Sequence, residues 1–296
     1  MKHTVFTGSG VAVITPMFPD GSIHFEELDR ILEDQIAGGT DCIVTCGTTG
    51  EAATFHNQEH LQVIAHTVQK VNGRVPVVAG TGSNDTAHAI ALSKEAKALG
   101  VDGLLHVTPY YNKTSQKGLI KHFTAIADAT DLPVIVYNVP SRTGVNIQPK
   151  TYRELSKHPN IVATKEANGD LSSVLETRYL CGDDLDVYSG NDDQIVSILS
   201  LGGKGVISVL ANVMPRETHN ICQLYFQGNV QESAALQTKL MPLIRALFSD
   251  VNPIPVKEAM NQMGYQAGPC RLPLTEMGEE AKKALVRQLA AFHLMK

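Results

Sequence analysis

Apolar runs and amphipathic stretches alternate along the first three quarters of the chain. Short apolar runs predict eight strands, at 10–15, 42–46, 75–79, 103–107, 133–138, 161–164, 185–188 and 205–210. Apolar positions at helical spacing predict eight helices, at 25–37, 57–71, 85–98, 115–129, 148–157, 171–181, 193–201 and 215–227. Because each helix would return the chain to the same end of the sheet, this alternation predicts parallel strands.

The number of strand–helix units favours a closed barrel. Eight units of roughly 28 residues each fit a (β/α)8 TIM barrel, of α/β class, over residues 1–229. The strands are nearly continuous apolar runs, which is typical of parallel strands covered on both faces. An open, doubly wound sheet is the alternative, but neither of its usual phosphate-binding motifs, G-x-G-x-x-G and G-x-x-x-x-G-K-[ST], occurs in the chain.

A weak internal repeat supports this count. GGTDCIV (38–44), LGVDGLL (99–105) and GGKGVIS (202–208) share a glycine, a short polar link and an apolar run. We interpret each as a helix end followed directly by a strand, with glycine in the left-handed conformation that closes the helix.

After residue 229 the pattern becomes purely helical. Segments at about 230–250, 255–264 and 276–294 have helical character. Pro253 and Pro255 separate the first two, and AGPCRLPL (267–274) separates the last two. The sequence therefore predicts a C-terminal extension of three helices over residues 230–296.

Composition narrows the class of protein. The 296 residues carry a net charge of -5, which gives no indication of nucleic-acid binding or of an anionic membrane partner. No run of about 18 apolar residues predicts a membrane span, and MKHTVFTGSG lacks the apolar core of a signal peptide. The 5 scattered cysteines predict no disulfide framework, so we expect a cytoplasmic location.

Lys165 is the reactive candidate at the carboxyl ends of the strands, where the active site of this fold lies. It follows the apolar run Ile161 to Thr164 directly, before the turn residues at 168–170. Burial in an apolar barrel mouth would lower its pKa, and a neutral amine can form a Schiff base with a ketone. The alternative is a lysine that packs its stem at the strand end and extends its ammonium group to water.

Tyr137 and Arg142 give Lys165 a chemical context. Tyr137 closes the fifth strand, about 4.8 Å from the sixth, so its hydroxyl can approach the lysine and move protons. Thr48 or Thr49 would be its hydrogen-bond partner. Arg142 follows on a loop and suits a substrate carboxylate, since a guanidinium group donates two parallel hydrogen bonds. Taken alone, Tyr137 is explained equally well as a buried tyrosine whose hydroxyl is hydrogen-bonded. Arg142 is explained equally well as part of a surface salt bridge.

The histidines do not form a convincing metal site. His56 and His60 are four residues apart and can share a helix face, but no third ligand is evident. We predict neither a metal nor an organic cofactor, and this prediction favours amine catalysis.

Nine short motifs cover essentially the whole chain: GTTGE (47–51), GTGSN (80–84), VTPYYNK (107–113), YNVPSRTG (137–144), KEANGD (165–170), SGNDD (189–193), GVISVLANV (205–213), NPIPVKEAM (252–260) and RLPL (271–274). In order and spacing they resemble the dihydrodipicolinate synthase family, within the pyruvate-dependent class I aldolase superfamily. The resemblance implies a lyase that condenses pyruvate with L-aspartate 4-semialdehyde to 4-hydroxy-tetrahydrodipicolinate. This is the first committed step of the diaminopimelate route to lysine.

The resemblance also implies roles for individual positions. Lys165 corresponds to the lysine that forms a Schiff base with pyruvate, and Tyr137 to the tyrosine that shuttles protons beside it. Thr48 and Tyr111 complete the proton relay, and Tyr111 would reach across a dimer interface into the partner's site. Arg142 would hold the carboxylate of aspartate semialdehyde. The positions expected to line the pyruvate site are Thr49, Gly190 and Ile207.

Two alternatives to the synthase remain at this stage. One is a sibling aldolase that cleaves N-acetylneuraminate or a keto-deoxy sugar acid, although the two threonines of GTTGE and the arginine of PSRTG resemble the synthase. The other is a barrel that binds pyruvate without turnover. If Tyr111 acts in the partner's site, the functional unit is at least a dimer, and the family implies a homotetramer built as a dimer of dimers.

One departure from the family lies in the site where lysine inhibits some members. The resemblance places this candidate allosteric site near Ala53, Asn57, His60, Asn84, His88 and Tyr110. Strongly inhibited members usually carry a glutamate at the position of His88 and a histidine at the position of Asn57. A histidine cannot act as the anion that pairs with the ammonium group of the ligand.

We therefore expect weak or absent feedback inhibition by lysine. A lysine titration of the condensation reaction should leave the rate nearly unchanged across the sub-millimolar range. Strong inhibition in that range would contradict the prediction.

Overall fold

The computed structural model describes residues 2–295, so residues 1 and 296, the outer bounds of the two predicted domains, lie outside the described residues. Eight parallel strands close into a barrel in sequence order, and the last strand pairs with the first. The strands are β1 Gly8–Ala12, β2 Cys42–Thr45, β3 Val77–Gly80, β4 Gly103–Val107, β5 Val134–Asn138, β6 Ile161–Glu166, β7 Asp186–Ser189 and β8 Gly205–Ser208. The predicted TIM barrel is confirmed.

The helices alternate with these strands and then continue alone. They are α1 Phe25–Ala37, α2 Asn57–Val71, α3 Thr86–Ala98, α4 Gln116–Asp128, α5 Pro140–Thr143, α6 Pro149–Leu155, α7 Leu171–Cys181, α8 Ile195–Ser200, α9 Pro215–Phe226, α10 Val230–Leu247, α11 Ile254–Gln262 and α12 Glu279–Ala291. The last three form the predicted C-terminal extension, and α5 is the one helix that the sequence pattern missed.

Strand β6 differs from its prediction in a way that matters for function. It continues through Lys165 to Glu166 instead of stopping at Thr164, while β5 ends at Asn138 as predicted. Asn138 and Glu166 are partners in the β5–β6 ladder, where the Asn138 amide donates to both carboxylate oxygens, at 2.9 and 3.1 Å. The polar side chains at the ends of the two strands thus satisfy each other within the sheet.

The glycine repeat corresponds to helix ends, as predicted. Gly39, Gly100 and Gly202 have φ values of 89°, 86° and 85°, in the left-handed region that favours glycine. Each closes a helix and leaves only a short link to the next strand, which keeps the successive units close-packed around the barrel.

Two apolar clusters stabilise the barrel on its two faces. One fills the interior and includes Val44, Val78, Ile135 and Ile207. The other lies between the strands and the surrounding helices. Because strand side chains alternate between faces, seven of the strands contribute to both clusters, while β7 places Tyr188 in the interior and Val187 in a small third cluster with Val174 and Ile198. The interior is therefore a packed apolar core beneath the mouth of the barrel, as in other folds of this class.

The C-terminal extension shares the outer core with the barrel. Leu240 and Leu243 of α10 and Val256 and Met260 of α11 belong to the same buried cluster as strand residues such as Val11. The exact domain boundary at 229/230 stays a prediction. Within residues 2–295, no helix combines the length and the apolar character that crossing a membrane requires.

A buried ion pair fastens the extension to the loop after β2. The Lys257 ammonium of α11 donates to Glu51 Oε1 at 2.8 Å and to the Pro269 carbonyl at 2.6 Å. Glu51 Oε2 accepts from the Arg271 backbone N–H at 2.8 Å. Both charged side chains are almost inaccessible to solvent. Removing one partner would leave an uncompensated buried charge.

We expect Lys257→Met to lower the free energy of unfolding by about 3–5 kcal/mol, since it leaves the buried Glu51 carboxylate without a counter-ion. Lys282→Met is the matched control, because Lys282 pairs with Glu258 in a more exposed place, and should cost less than about 1 kcal/mol. Denaturant unfolding at one fixed protein concentration measures both variants. Equal losses would contradict the assignment of a fastening role to the buried pair.

Candidate active site

Lys165 lies at the mouth of the barrel, between two tyrosines on neighbouring strands. In the ladders of the sheet it is the partner of Tyr137 on β5 and of Tyr188 on β7. Its side chain is only 6% exposed. The amine nitrogen lies 4.2 Å from the centre of the Tyr137 ring, so the two side chains touch through the ring face. The structure thus brings together the two residues that the sequence analysis paired.

The surroundings of Lys165 favour its neutral form. Burial lowers the pKa of the amine to about 8, and the positive charge of Arg142 acts in the same direction. The carboxylate of Asp192 opposes both. Desolvation is the largest of the three effects, so the apolar packing of the barrel mouth determines the outcome.

Asp192 is a residue that the sequence analysis quoted within SGNDD without giving it a role. It is buried, and its carboxylate accepts hydrogen bonds from the Ser208 hydroxyl and from the backbone N–H groups of Val209 and Leu210 at 3.1 and 2.9 Å. Burial raises the pKa of this carboxyl group, against the effect of these bonds and of Lys165. An acidic residue three positions after the end of β7 was the signal in the sequence.

Tyr137 carries a hydroxyl group that stays protonated at neutral pH. Burial raises its pKa to about 12, while the charge of Arg142 and a side-chain hydrogen bond with Thr48 act against the rise. Of the two candidate partners, Thr48 is the one near this hydroxyl, and its role in a proton relay stays a prediction. A neutral hydroxyl that both donates and accepts hydrogen bonds can pass a proton along such a chain.

Gly190 adjoins the lysine and Ile207 lies in the interior of the barrel, while the role of both in lining a pyruvate pocket stays a prediction. A Cβ atom at Gly190 would lie 3.3 Å from Lys165 Cε and 2.8 Å from Ala167 Cβ, so a side chain there would crowd the amine. The Gly190 backbone N–H donates to the Glu166 carbonyl at 2.7 Å. Ile207 is fully buried in the interior cluster that also contains Tyr137.

Asn252, from the C-terminal extension, connects Arg142 with Thr49. The Arg142 guanidinium donates to the Asn252 carbonyl at 3.2 Å, and the Asn252 amide donates to the Thr49 hydroxyl at 3.0 Å. The sequence analysis had included Asn252 in a motif but assigned it no role. The carbonyl group that holds Arg142 in place therefore belongs to a residue 110 positions further along the chain.

Tyr111 is placed on the surface of its own chain. Its side chain is 92% exposed, and its backbone has a φ of 67°, an uncommon conformation for a residue other than glycine. A large aromatic side chain held outward in this way is suited to contact with another molecule.

The six positions of the candidate lysine site lie on and beside α2 and α3. Hydrogen bonds connect five of them to one another or to the backbone, while Ala53 is exposed. These bonds are His60 Nε2 to the Gly80 carbonyl (2.8 Å), His88 Nε2 to Asn57 Oδ1 (2.9 Å) and Asn84 Nδ2 to the Tyr110 carbonyl (3.2 Å).

Among residues 2–295, no group of three or more His, Cys, Asp and Glu side chains could hold a metal ion.

Comparisons with known proteins agree with this geometry. The profile of the Dihydrodipicolinate synthetase family matches residues 5–292. A 4-hydroxy-tetrahydrodipicolinate synthase of Caldicellulosiruptor saccharolyticus is 58% identical over 285 residues, which are 96% of each chain. The enzyme of the same name from Acetivibrio thermocellus is 53% identical over 295 residues, 100% of each chain.

Solved structures agree as well. Dihydrodipicolinate synthase from Thermotoga maritima superposes with a TM-score of 0.96 at 40% identity, covering 99% of this chain and 100% of the other. The chloride-inhibited dihydrodipicolinate synthase from Acinetobacter baumannii, complexed with pyruvate, has a TM-score of 0.96 at 42% identity, covering 99% and 100%. With the profile match over nearly all its length, the chain belongs to the dihydrodipicolinate synthetase family.

Proposed function

We propose that this chain is a lyase that condenses pyruvate with L-aspartate 4-semialdehyde to 4-hydroxy-tetrahydrodipicolinate, with Lys165 as the nucleophile. The observation that carries the proposal is the buried Lys165 amine against the Tyr137 ring. Full-length relatives at 53–58% identity are named for this activity. The reaction is the first committed step of the diaminopimelate route to lysine.

The lowered pKa of Lys165 supplies the reactive form of the amine. A lysine at its ordinary pKa of 10.5 is neutral in roughly one molecule in 3000 at pH 7. With a pKa of about 8, roughly one molecule in ten is neutral at that pH. The neutral nitrogen attacks the ketone carbon of pyruvate, and loss of water from the carbinolamine gives the imine.

Proton transfers accompany each of these steps. The carbinolamine oxygen must gain a proton before it leaves as water, and the methyl carbon of the imine must lose one to form the enamine. Tyr137 is close to the nitrogen and hydrogen-bonded to Thr48, so the two hydroxyls form the relay. Tyr111 of a partner chain would complete it, which fits its outward position.

The second substrate would be held at the rim. The enamine carbon attacks the aldehyde carbon, and the amino group of the new adduct then displaces Lys165 by transimination, which closes the ring. Arg142 would bind the substrate carboxylate by paired hydrogen bonds. The Asn252 carbonyl and the neighbouring Thr49 fix the approach of the guanidinium group, while Gly190 and Ile207 line the pyruvate pocket.

We further propose a homo-oligomer, assembled as a dimer of dimers, and a cytoplasmic location. The exposed Tyr111 supports the dimer, because the relay is incomplete without a partner chain. All five cysteines are free, as expected in a reducing compartment. No residue of the proposed mechanism requires a metal or an organic cofactor, since the Schiff base itself acts as the electron sink.

Borohydride reduction in the presence of pyruvate tests the proposal directly. The wild-type chain should gain the mass of one reduced pyruvate, and peptide mapping should place it on Lys165. Lys165→Met should gain none and should lose activity on aspartate semialdehyde by at least roughly 10³-fold. The control Lys157→Met, at an exposed lysine, should behave as wild type.

The same trapping reaction, repeated across pH, tests the lowered pKa. The rate should rise with pH through about 8 and level off above it, because the fraction of neutral Lys165 stops growing there. An adduct elsewhere, or no adduct, would refute the proposed function. An adduct with turnover of a keto-deoxy sugar acid, but not of aspartate semialdehyde, would identify a sibling aldolase.

Mixing two inactive variants tests the role of Tyr111. Lys165→Met has no nucleophile, and Tyr111→Phe has no relay hydroxyl. In a hybrid dimer, the site that retains Lys165 would receive Tyr111 from the other chain. Random subunit exchange should therefore restore up to about a quarter of wild-type activity. If Tyr111 acts within its own chain, the mixture stays inactive, and the proposed shared site is wrong.

A further inference from the structure

Glu166 is a buried carboxylate beside the active site that the proposed chemistry does not use. It follows Lys165 on β6, and because strand side chains alternate, the lysine points into the barrel while Glu166 points toward the helices. The carboxyl group is nine-tenths buried or more. No positively charged side chain is among its hydrogen-bond partners in residues 2–295.

Four hydrogen-bond contacts surround this carboxylate, and all of them come from donors. Oε1 accepts from Asn138 Nδ2 and from the Asn168 backbone N–H, both at 2.9 Å. Oε2 accepts from the Tyr152 hydroxyl of α6 at 2.8 Å and also from Asn138 Nδ2 at 3.1 Å. An ionised carboxylate only accepts hydrogen bonds, so the surroundings match the charged form. Burial nevertheless raises its pKa to about 7.

These contacts join the segments that carry Tyr137, Arg142, Lys165 and Gly190. Asn138 follows Tyr137 on β5, and its own oxygen accepts from the Ile147 backbone N–H at 3.1 Å, at the end of the loop after Arg142. The Glu166 carbonyl accepts from Gly190, and the Ala167 N–H donates to the Asn138 carbonyl at 2.9 Å.

The pairing of β5 with β6 shows how these contacts affect the position of Tyr137 relative to Lys165. Asn138 opposes Glu166 directly, one step beyond the pair formed by Tyr137 and Lys165. A shift of one strand end relative to the other at this step would separate the tyrosine ring from the amine.

We propose that Glu166 is a positioning residue: its carboxylate, clamped to Asn138, holds the ends of β5 and β6 in the register that keeps Tyr137 against Lys165. The clamp acts on the wall of the barrel from outside, without touching the substrate. This inference rests on the proposed function, because its measurable effect is on the rate at which Lys165 forms the imine.

The test compares two substitutions at one position. Glu166→Ala removes all four contacts and should slow borohydride-trapped imine formation at saturating pyruvate by about 10²-fold, the usual consequence of misplacing reacting groups by about 1 Å. The pyruvate concentration at half-maximal rate should change little. The pH midpoint of trapping should rise from about 8 as water reaches the loosened amine.

Glu166→Gln should restore most of the rate. Its oxygen can accept from Asn138 and Asn168, and its nitrogen can donate to the Tyr152 hydroxyl, which has Thr164 Oγ1 at 3.0 Å as its own partner. Glu154→Ala is the matched control, because that carboxylate is exposed and pairs only with Lys157 on the surface of α6. It should trap pyruvate at the wild-type rate.

A second variant removes the other partner of the hydrogen bonds between Glu166 and Asn138, in case Glu166→Ala does not fold. Asn138→Ala leaves Glu166 bonded to Tyr152 and Asn168 but opens the bridge between the strands, and it should show the same slow trapping. Folded Asn138→Ala or Glu166→Ala protein that traps pyruvate at the wild-type rate and pH midpoint would overturn the inference alone. If wild-type protein forms no adduct, the proposed function and this inference fall together.

Discussion

The barrel mouth depends on keeping water away from one amine. The interior below Lys165 is packed with apolar side chains, and the ring of Tyr137 covers the nitrogen from the side. Burial alone would push the amine further toward neutrality, but the nearby carboxylate of Asp192 favours every cationic state of that nitrogen. A protonated iminium is one of those states. The same environment therefore suits both the neutral nucleophile and the charged intermediate that follows it.

Much of this arrangement could be predicted from the sequence because its signals are local. The spacing of apolar residues along a segment indicates whether it forms a strand or a helix. Eight alternating strand–helix units are compatible with only a few fold architectures. The bounds of β4, α1, α2 and α7 were predicted without error, and the other predicted elements fell within about three residues, while α5 was missed. Lys165 was recognisable because it directly follows an uninterrupted apolar run, although its position alone also allowed a lysine extended to water.

The remaining features depend on contacts between residues distant in the chain. The continuation of β6 to Glu166 was missed because a buried glutamate is unusual in a strand until its hydrogen bonds with Asn138 on β5 are seen. Asn252 contacts Arg142 from 110 positions further along the chain, and no local pattern indicates that approach. The expected roles of Tyr111 and of the candidate lysine site would involve surfaces between chains, and the sequence predicts them only through the resemblance.

The support that Asn252 gives to Arg142 and Thr49 also has a consequence for biosynthesis. A chain leaves the ribosome from its N-terminus at about 5–20 residues per second, so all eight strands are made before Asn252 and Lys257 appear. Until then the guanidinium lacks its carbonyl and Glu51 lacks its counter-ion. A chain that ended before Asn252 would therefore lack both the carbonyl that holds Arg142 and the counter-ion of Glu51.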